Sequence, residues 1–270
     1  MTAPGERYTH GHHESVLRSH RWRTAENSAA YLLPHLRPGL ALLDVGCGPG
    51  TITLDFARRV APGRVIGMDA EADVLRGATA DAAEAGLTNV TFETGDAYAL
   101  AFDDDRFDVV HAHQVLQHLA DPVAALAEMR RVTKAGGVVA ARDMDVASTV
   151  WYPDAPALDR WVELYGQVTR SNGGEPAAGR RLLAWAHAAG FADVTASASV
   201  WCFATPEERA WWGSLWADRV TGSAFADQAL ESGLADRNDL ATIATAWRDW
   251  AASPDGWFVL TSGEIIARPG

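Results

Sequence analysis

A chain of 270 residues, 48% of them apolar, has material for one α/β domain with a substantial addition, and none of its apolar runs approaches the length that crosses a bilayer. Its formal charge of −12 at pH 7 repels polyanions such as RNA or DNA at long range, and the one basic stretch, Arg18 to Arg23, is small. Two cysteines, Cys47 and Cys202, argue against a disulfide framework, and Met1 to Gly5 lacks the features of a secretory leader, so a cytoplasmic location is the default expectation.

Near its start, Tyr8-Thr9-His10-Gly11-His12-His13-Glu14-Ser15, followed by Ser19-His20-Arg21-Trp22-Arg23-Thr24, is dense in side chains that donate, accept or stack. A helix is expected over 13–36, with Val16, Leu17, Ala25, Ala29, Leu32 and Leu33 on its apolar side, ended by Pro34, Pro38 and Gly39. Strands and helices then alternate: strand 40–45, helix 50–60, strand 64–69, helix 71–85, strands 90–94 and 107–112, helix 121–133, strand 136–142. Such alternation implies a parallel sheet with helices on both faces.

The most informative stretch is Leu42-Leu43-Asp44-Val45-Gly46-Cys47-Gly48-Pro49-Gly50, where an apolar strand runs into a glycine-rich turn. Glycines there reach dihedrals closed to other residues and remove the Cβ atoms that would block a ligand, while a helix beginning at Thr51 turns its unpaired N–H groups to the same crevice. The spacing is G-x-G-x-G, not the G-x-G-x-x-G of NAD enzymes, and no P-loop lysine follows. Asp69-Ala70 closes the second strand, where a carboxylate can accept from both hydroxyls of a ribose. Gly95-Asp96-Ala97 closes the third, with a carboxylate placed to accept from an exocyclic adenine amine. His111 and His113 end the fourth.

In order and spacing together these motifs resemble the class I S-adenosylmethionine-dependent methyltransferases, and within them the UbiE-like small-molecule group, over residues 38–142. The resemblance implies a Rossmann-like, seven-stranded, mainly parallel sheet, completed by two late strands at 193–203 and 257–267. It implies S-adenosyl-L-methionine as cofactor and S-adenosyl-L-homocysteine as product. Asp44 and Gly46, with Cys47, Gly48 and Gly50 of the same turn, would meet the methionine part. Asp69 and Ala70 would hold the ribose, and Gly95, Asp96 and Ala97 the adenine. Residues 1–37 would be a helical lid, with Tyr8 near the sulfonium and Arg18 or Arg23 paired with the methionine carboxylate, as a guanidinium fork suits that group. Residues 38–270 would be the methyltransferase domain, with a cofactor half at 38–142 and an acceptor-side cap at 143–270.

The chemistry expected is in-line displacement, in which an acceptor atom attacks the methyl carbon of the sulfonium, and alignment in a dry site matters more than dedicated catalytic groups. His113, at the mouth of the crevice, is the candidate general base and cofactor contact, its ordinary pKa near 6.5 suiting that work; Tyr8 is the second catalytic candidate. His12, His118 and Asp143 are candidates for the acceptor pocket. So are Trp151, Trp212 and Trp216 from the tryptophan-rich half between Trp151 and Trp257, although a helix packing on the sheet would give the same Trp212/Trp216 stripe, with Arg219 one turn further. Helices are expected there at 155–170, 176–189, 206–217 and 236–252. No metal is expected: His10, His12 and His13 cluster, but structural zinc sites usually recruit a second ligand pair and methyl displacement needs no metal.

The expected function is therefore methyl transfer to an oxygen, nitrogen or sulfur atom of a small, partly hydrophobic metabolite. The alternatives are C-methylation of an activated aromatic ring, methylation of a peptide or RNA, and a non-catalytic protein that binds the cofactor. A small-molecule acceptor is the expected partner, without a membrane or nucleic acid, and a homodimer stays open.

Overall fold

The structure, a computed structural model, describes residues 14–270, with side chains from Arg18 onward. Tyr8, His10, His12 and His13 lie outside the described residues. Five parallel strands form the first part of the sheet: β1 (Leu42–Val45), β2 (Val65–Asp69), β3 (Val90–Thr94), β4 (Phe107–His113) and β5 (Thr133–Met144). Their spatial order is β3-β2-β1-β4-β5, so the order reverses between β1 and β4. A crevice opens outside the carboxyl ends of the strands at such a reversal. The pairing Val45↔Met68 on one side and Val45↔Ala112 on the other leaves Asp69 and His113 one residue further on, at the same rim.

The alternation of side chains along these strands gives the sheet two apolar faces. Leu43, Val110, Val139 and Ile265 belong to one cluster, and Leu42, Val109 and Val138 to the other. On these faces pack α3 (Thr51–Val60), α4 (Ala72–Glu84), α5 (Pro122–Val132) and, later, α7 (Leu182–Ala188). In α3 the buried Ile52, Phe56 and Val60 recur every fourth position, the stripe that a sheet-facing helix requires. Asp121 starts α5 by accepting the Ala124 N–H at 3.0 Å, and Pro122 fills the first helical position, where a missing N–H costs nothing.

The sheet is finished by antiparallel strands. β8 (Trp257–Arg268) pairs with β5, and β7 (Asp193–Phe203) pairs with β8 along its whole length, giving the expected seven-stranded path. A short eighth strand, β6 (Val150–Tyr152), pairs with the start of β8 where β5 has ended. β8 therefore spans two cores. Ile265 and Ala267 sit in the sheet core, whereas Phe258 and Leu260 sit in a third cluster built by α6 (Pro156–Ser171), α8 (Pro206–Gly222), α9 (Ala224–Glu231) and α10 (Arg237–Ala252). In that cap Trp161 packs edge-on against Trp216 and Trp247, with ring centroids 4.6 and 5.1 Å away, and Phe203 stacks on Trp212 at 4.2 Å.

Several elements differ from the expectation. In place of one helix over 13–36 there are α1 (Glu14–Arg21), α2 (Ala25–Ser28) and a 3-10 turn at Leu33–His35. Thr24 and Asn27 exchange side-chain-to-backbone bonds in a capping box, which restarts the helix at Ala25, and Pro34 keeps the next turn short. The apolar side survives the break, with Ala25, Ala29 and Leu32 fully buried. The α-helix expected at 176–189 begins only at Leu182, after a 3-10 turn at Gly179–Arg181 whose Gly179 approaches the Gly263 and Asp143 backbones too closely for a side chain. The helix expected over 206–217 runs on to Gly222, and α9, capped by Ser223, was not anticipated. No helix among the described residues is long and apolar enough to cross a membrane.

Candidate active site

The crevice at the strand ends is a cavity of about 280 Å³, roofed by α1 and α8. Gly46, Gly48 and Gly50 all take positive φ, 67°, 55° and 77°, so the turn after β1 depends on glycine. The turn is held from two sides. Cys47 N–H donates to the Met68 carbonyl at 2.9 Å, and Gly48 N–H donates to Asp69 Oδ2 at 2.9 Å. A Cβ at Gly48 would meet nothing nearer than His20 Nδ1 at 3.9 Å, so that position opens on the cavity both residues line. Gly50 faces the other way. It caps α3 in the left-handed conformation, and a Cβ there would strike Phe92 and Ala78, so the structure does not bring Gly50 to the cavity wall.

Asp44 reaches the cavity with a carboxylate already engaged: Oδ2 accepts from Thr53 Oγ1 at 2.5 Å and Oδ1 lies 2.7 Å from His111 Nδ1. It ties the turn to α3 and β4. Asp69 Oδ1 accepts the Glu71 N–H at 3.1 Å, and Asp96 Oδ1 accepts the Tyr98 N–H at 2.9 Å, so each carboxylate is oriented by the backbone that follows it. Ala70, Gly95 and Ala97 complete that wall. Burial, with Asp44 and Asp69 nearby, pushes the Cys47 thiol up and keeps it protonated.

The opposite wall joins the N-terminal segment to the cap. Arg23 Nη2 donates to Gln114 Oε1 at 2.7 Å and its guanidinium stands 5.7 Å over the Trp201 ring. Gln114, which follows β4, takes φ 55°, a conformation non-glycine residues seldom adopt, and it is fixed by its N–H to the Arg142 carbonyl at 2.7 Å. From α8 come Trp212, Trp216 and Arg219; the Arg219 guanidinium lies 4.6 Å over the Trp216 ring and donates to Ser19 Oγ at 3.0 Å. Met144 and Leu260 close the floor.

His113 and His118 both reach the cavity. His113 lies parallel to His111 with ring centroids 6.5 Å apart and beside Trp201, and neither of its ring nitrogens meets a hydrogen-bond partner among the described residues. Burial first, then the charges of Arg23 and Arg142, hold its pKa well below the usual imidazole range. His113 is thus a neutral, weakly basic ring, not the group titrating near neutrality that its residue type implied. His118 is pushed down to about 4 by burial and by Arg23. Gln117 enforces the same state: its Oε1 accepts the Met144 N–H at 3.0 Å, so its Nε2 donor faces His118 Nε2 at 3.1 Å and that nitrogen must accept.

Besides Gly50, two acceptor-side candidates are not brought to the cavity. Asp143 is fully buried beneath it, where Oδ1 accepts the Gln117 N–H at 3.0 Å and burial raises its pKa to about 7. Trp151 is carried away by β6 and stacks on Phe258 at 6.3 Å. Sequence reasoning missed Gln114, Tyr98 and Val115 as lining residues, and nothing in their local pattern marks them, since loops carry them to the site; Ser19 and His20 of α1 belong to the polar N-terminal stretch expected to cover the cofactor.

A Rossmann-like sheet in this strand order, with a glycine turn after β1 and carboxylates closing β2 and following β3 around one crevice, defines a class I methyltransferase. A family model described as "Methyltransferase domain" matches residues 36–189. The chain belongs to the S-adenosylmethionine-dependent methyltransferase family and is a methyltransferase that uses that cofactor. It is 37% identical over 277 residues to an uncharacterized methyltransferase of Schizosaccharomyces pombe, covering 97% of this chain and 96% of that one. It is 31% identical to the "Probable methyltransferase ltbC" of Aspergillus luteorubrus, covering 98% of each. Among solved structures the YcgJ protein of Bacillus subtilis is similar at a TM-score of 0.58 and 20% identity, over 91% of this chain and 99% of that one. The [4+2]-cyclase SpnF is similar at 0.52 and 23%, over 98% and 89%. These two likenesses speak to the fold alone.

Proposed function

We propose that the protein methylates an oxygen, nitrogen or sulfur atom of a small, partly hydrophobic metabolite. The observation that carries this reading is the wall facing the glycine turn, where Trp201, Trp212, Trp216, Met144 and Leu260 bound a cavity roofed by α1 and α8. An apolar wall of this kind in a concave site suits a small, partly hydrophobic molecule. A peptide or RNA would need an open channel, and an overall charge of −12 disfavours RNA further.

The donor set fits the cofactor. Open space at Gly48 lets a ligand approach the backbone, and the carboxylates of Asp69 and Asp96 suit ribose hydroxyls and an adenine amine. In this reading Asp69 and Ala70 hold the ribose and Gly95, Asp96 and Ala97 the adenine. Gly46, Cys47 and Gly48 bound the methionine part, and Arg23 pairs with its carboxylate. Asp44 borders the methionine part from the cavity wall while its carboxylate braces the turn, and Gly50 acts one layer back by shaping that turn. When bound, S-adenosylmethionine supplies a sulfonium methyl group for in-line displacement.

The protein's own part is alignment and exclusion of water. Residues of α1 and α8 cover the reacting space, and the Trp201 and Trp216 faces lie beside cationic groups. His113 and His118 present neutral rings that orient an acceptor more readily than they deprotonate it. Residues 38–142 form the cofactor half and 143–270 the acceptor side. Carbon methylation is the second reading, favoured by similarity to a "Ubiquinone/menaquinone biosynthesis C-methyltransferase UbiE" of Bdellovibrio bacteriovorus, 39% identical over 38% of this chain and 43% of that one.

Transfer of labelled methyl from S-adenosylmethionine to phenols, thiols, amines, activated aromatic carbons, peptides and bulk RNA tests the proposal, with Asp69→Ala as control. Label on oxygen, nitrogen or sulfur of one small-molecule class, vanishing in the control, supports it, and label on carbon alone supports the second reading. Label only in RNA or peptide overturns it.

A further inference from the structure

The charged side chains of the cavity are segregated. Among the described residues its carboxylates, Asp44, Asp69, Glu71 and Asp96, all stand at or just beyond the ends of β1, β2 and β3. Its guanidiniums, Arg23 and Arg219, stand on the wall made by α1, its following loop and α8. Arg23 reaches Gln114 beside the glycine turn, at the end of the site where the cofactor's own carboxylate would lie. Arg219 is different: it projects from the cap helix, one turn beyond Trp216 and two beyond Trp212, so a single helical face presents two indoles followed by a guanidinium.

The arrangement around Arg219 is built, with 4% of the residue exposed. The Trp216 ring supports the guanidinium from one side and Ser19 Oγ accepts from Nη2. A planar fork braced on an aromatic face is preorganised for an oxyanion lying in its plane, and an ammonium on a flexible stem is not. Trp212 and Trp216, stacked on Phe203 and Trp247, border the cavity beside one fixed cation, which suits a molecule with an apolar body and an anionic oxygen at its end.

We propose that Arg219 is the specificity determinant for an acceptor that carries an anionic oxygen group, a carboxylate or a phenolate, with its apolar body in the part of the cavity that Trp212 and Trp216 border. This deepens the small-molecule methyltransferase reading and rests on it.

The test is binding to the full-length protein saturated with S-adenosylhomocysteine, so that the cofactor pocket does not capture the probe. Tryptophan quenching is titrated with 2-naphthoate and with its neutral counterpart 2-naphthamide, and the visible band of 4-nitrophenolate is followed against neutral 4-nitroanisole. We expect at least one anion to bind about tenfold or more tightly than its neutral partner. The naphthoate and nitrophenolate arms tell carboxylate from phenolate. Arg219→Met should erase that ratio and Arg219→Lys should keep part of it, with S-adenosylhomocysteine affinity by calorimetry unchanged in both. Equal affinity for anion and neutral partner in both pairs overturns the proposal, even if Arg219→Met fails to fold. It is equally overturned if the variants lose cofactor affinity while keeping the anion ratio, since Arg219 would then serve the methionine carboxylate. Failure of the wild-type protein to bind S-adenosylhomocysteine at all would sink the underlying methyltransferase reading, and calorimetry reports that separately from the probe ratio.

Discussion

Asp69 Oδ2 accepts the Gly48 N–H at 2.9 Å, so the carboxylate that closes β2 holds the glycine turn that follows β1. One side chain therefore both shapes the turn and faces the crevice, and two substitutions separate these tasks. Asp69→Asn keeps an oxygen to accept from Gly48 and loses the charge; Asp69→Ala loses both. Calorimetry with S-adenosylhomocysteine should show affinity reduced about tenfold to a hundredfold in the alanine variant and less in the asparagine variant. Undiminished affinity in Asp69→Ala would refute the role given to this residue.

Asp44 makes a different prediction because both of its oxygens are spent inside the protein, on Thr53 and His111. Asp44 is 3% exposed and His111 fully buried, so Asp44→Ala strands two polar groups where water does not reach. Thermal or denaturant unfolding should report a loss of about 2–4 kcal/mol. Because Phe56 already packs edge-on against His111 at 4.9 Å, the double variant Asp44→Ala/His111→Phe should recover part of that loss. Strict additivity of the two substitutions would refute the pairing.

The cofactor half was legible in the sequence because its signals are local. A glycine turn directly after an apolar strand, and acidic residues closing the next two, fix backbone and chemistry within a few residues of each other. The acceptor half was less legible because it depends on contacts distant in sequence. Trp212 and Trp216 fit both a core stripe and a pocket roof, and they serve as both. Trp151 reads as an equal candidate, yet β6 directs it onto Phe258. Asp143 follows the same strand-end logic as Asp69, but the 3-10 turn at Leu116–His118 covers it. Gln114 gave no signal, since its function rests on a backbone angle that sequence does not display.

Asp143 and His118 predict opposing pH dependences. Burial raises Asp143 to about 7, against about 3.9 in an unfolded chain, so between these values the native state keeps a proton that the unfolded state has lost. Its contribution thus makes stability fall as pH rises from about 4 to 7. His118, lowered to about 4 by burial and by Arg23, works the other way. Below about 6.5 the unfolded chain gains a proton that the folded ring refuses, so stability rises with pH from about 4 to 6.5. His113 adds to the rising limb. Asp143→Asn keeps an acceptor for the Gln117 N–H and removes only the falling limb. Its melting temperature relative to wild type should climb between pH 5 and 8, toward a gain of up to about 4 kcal/mol. An offset that is the same at both pH values would contradict the buried, protonated state of Asp143.

Trp22 supplies the last prediction, because it fastens the N-terminal segment to the cap. Its ring meets Trp201 edge-on at 5.2 Å, Trp211 at 5.3 Å and Phe203 at 5.6 Å, and the next residue is Arg23, which lines the cavity. Trp161, by contrast, is fixed within the cap core, 2% exposed and ringed by Trp216, Trp247 and Phe258. Trp161→Ala should therefore cost about 3–5 kcal/mol in global unfolding, the usual range for removing a buried large aromatic ring. Trp22→Ala should cost less globally and act locally, loosening α1 from α8. Limited proteolysis should then cut between Glu14 and Thr24 faster than in wild type, and bound S-adenosylhomocysteine should slow that cleavage by favouring the docked arrangement. If Trp22→Ala lowers global stability as much as Trp161→Ala and leaves the cleavage pattern unchanged, the segment is an integral part of the cap core and not a separately fastened cover.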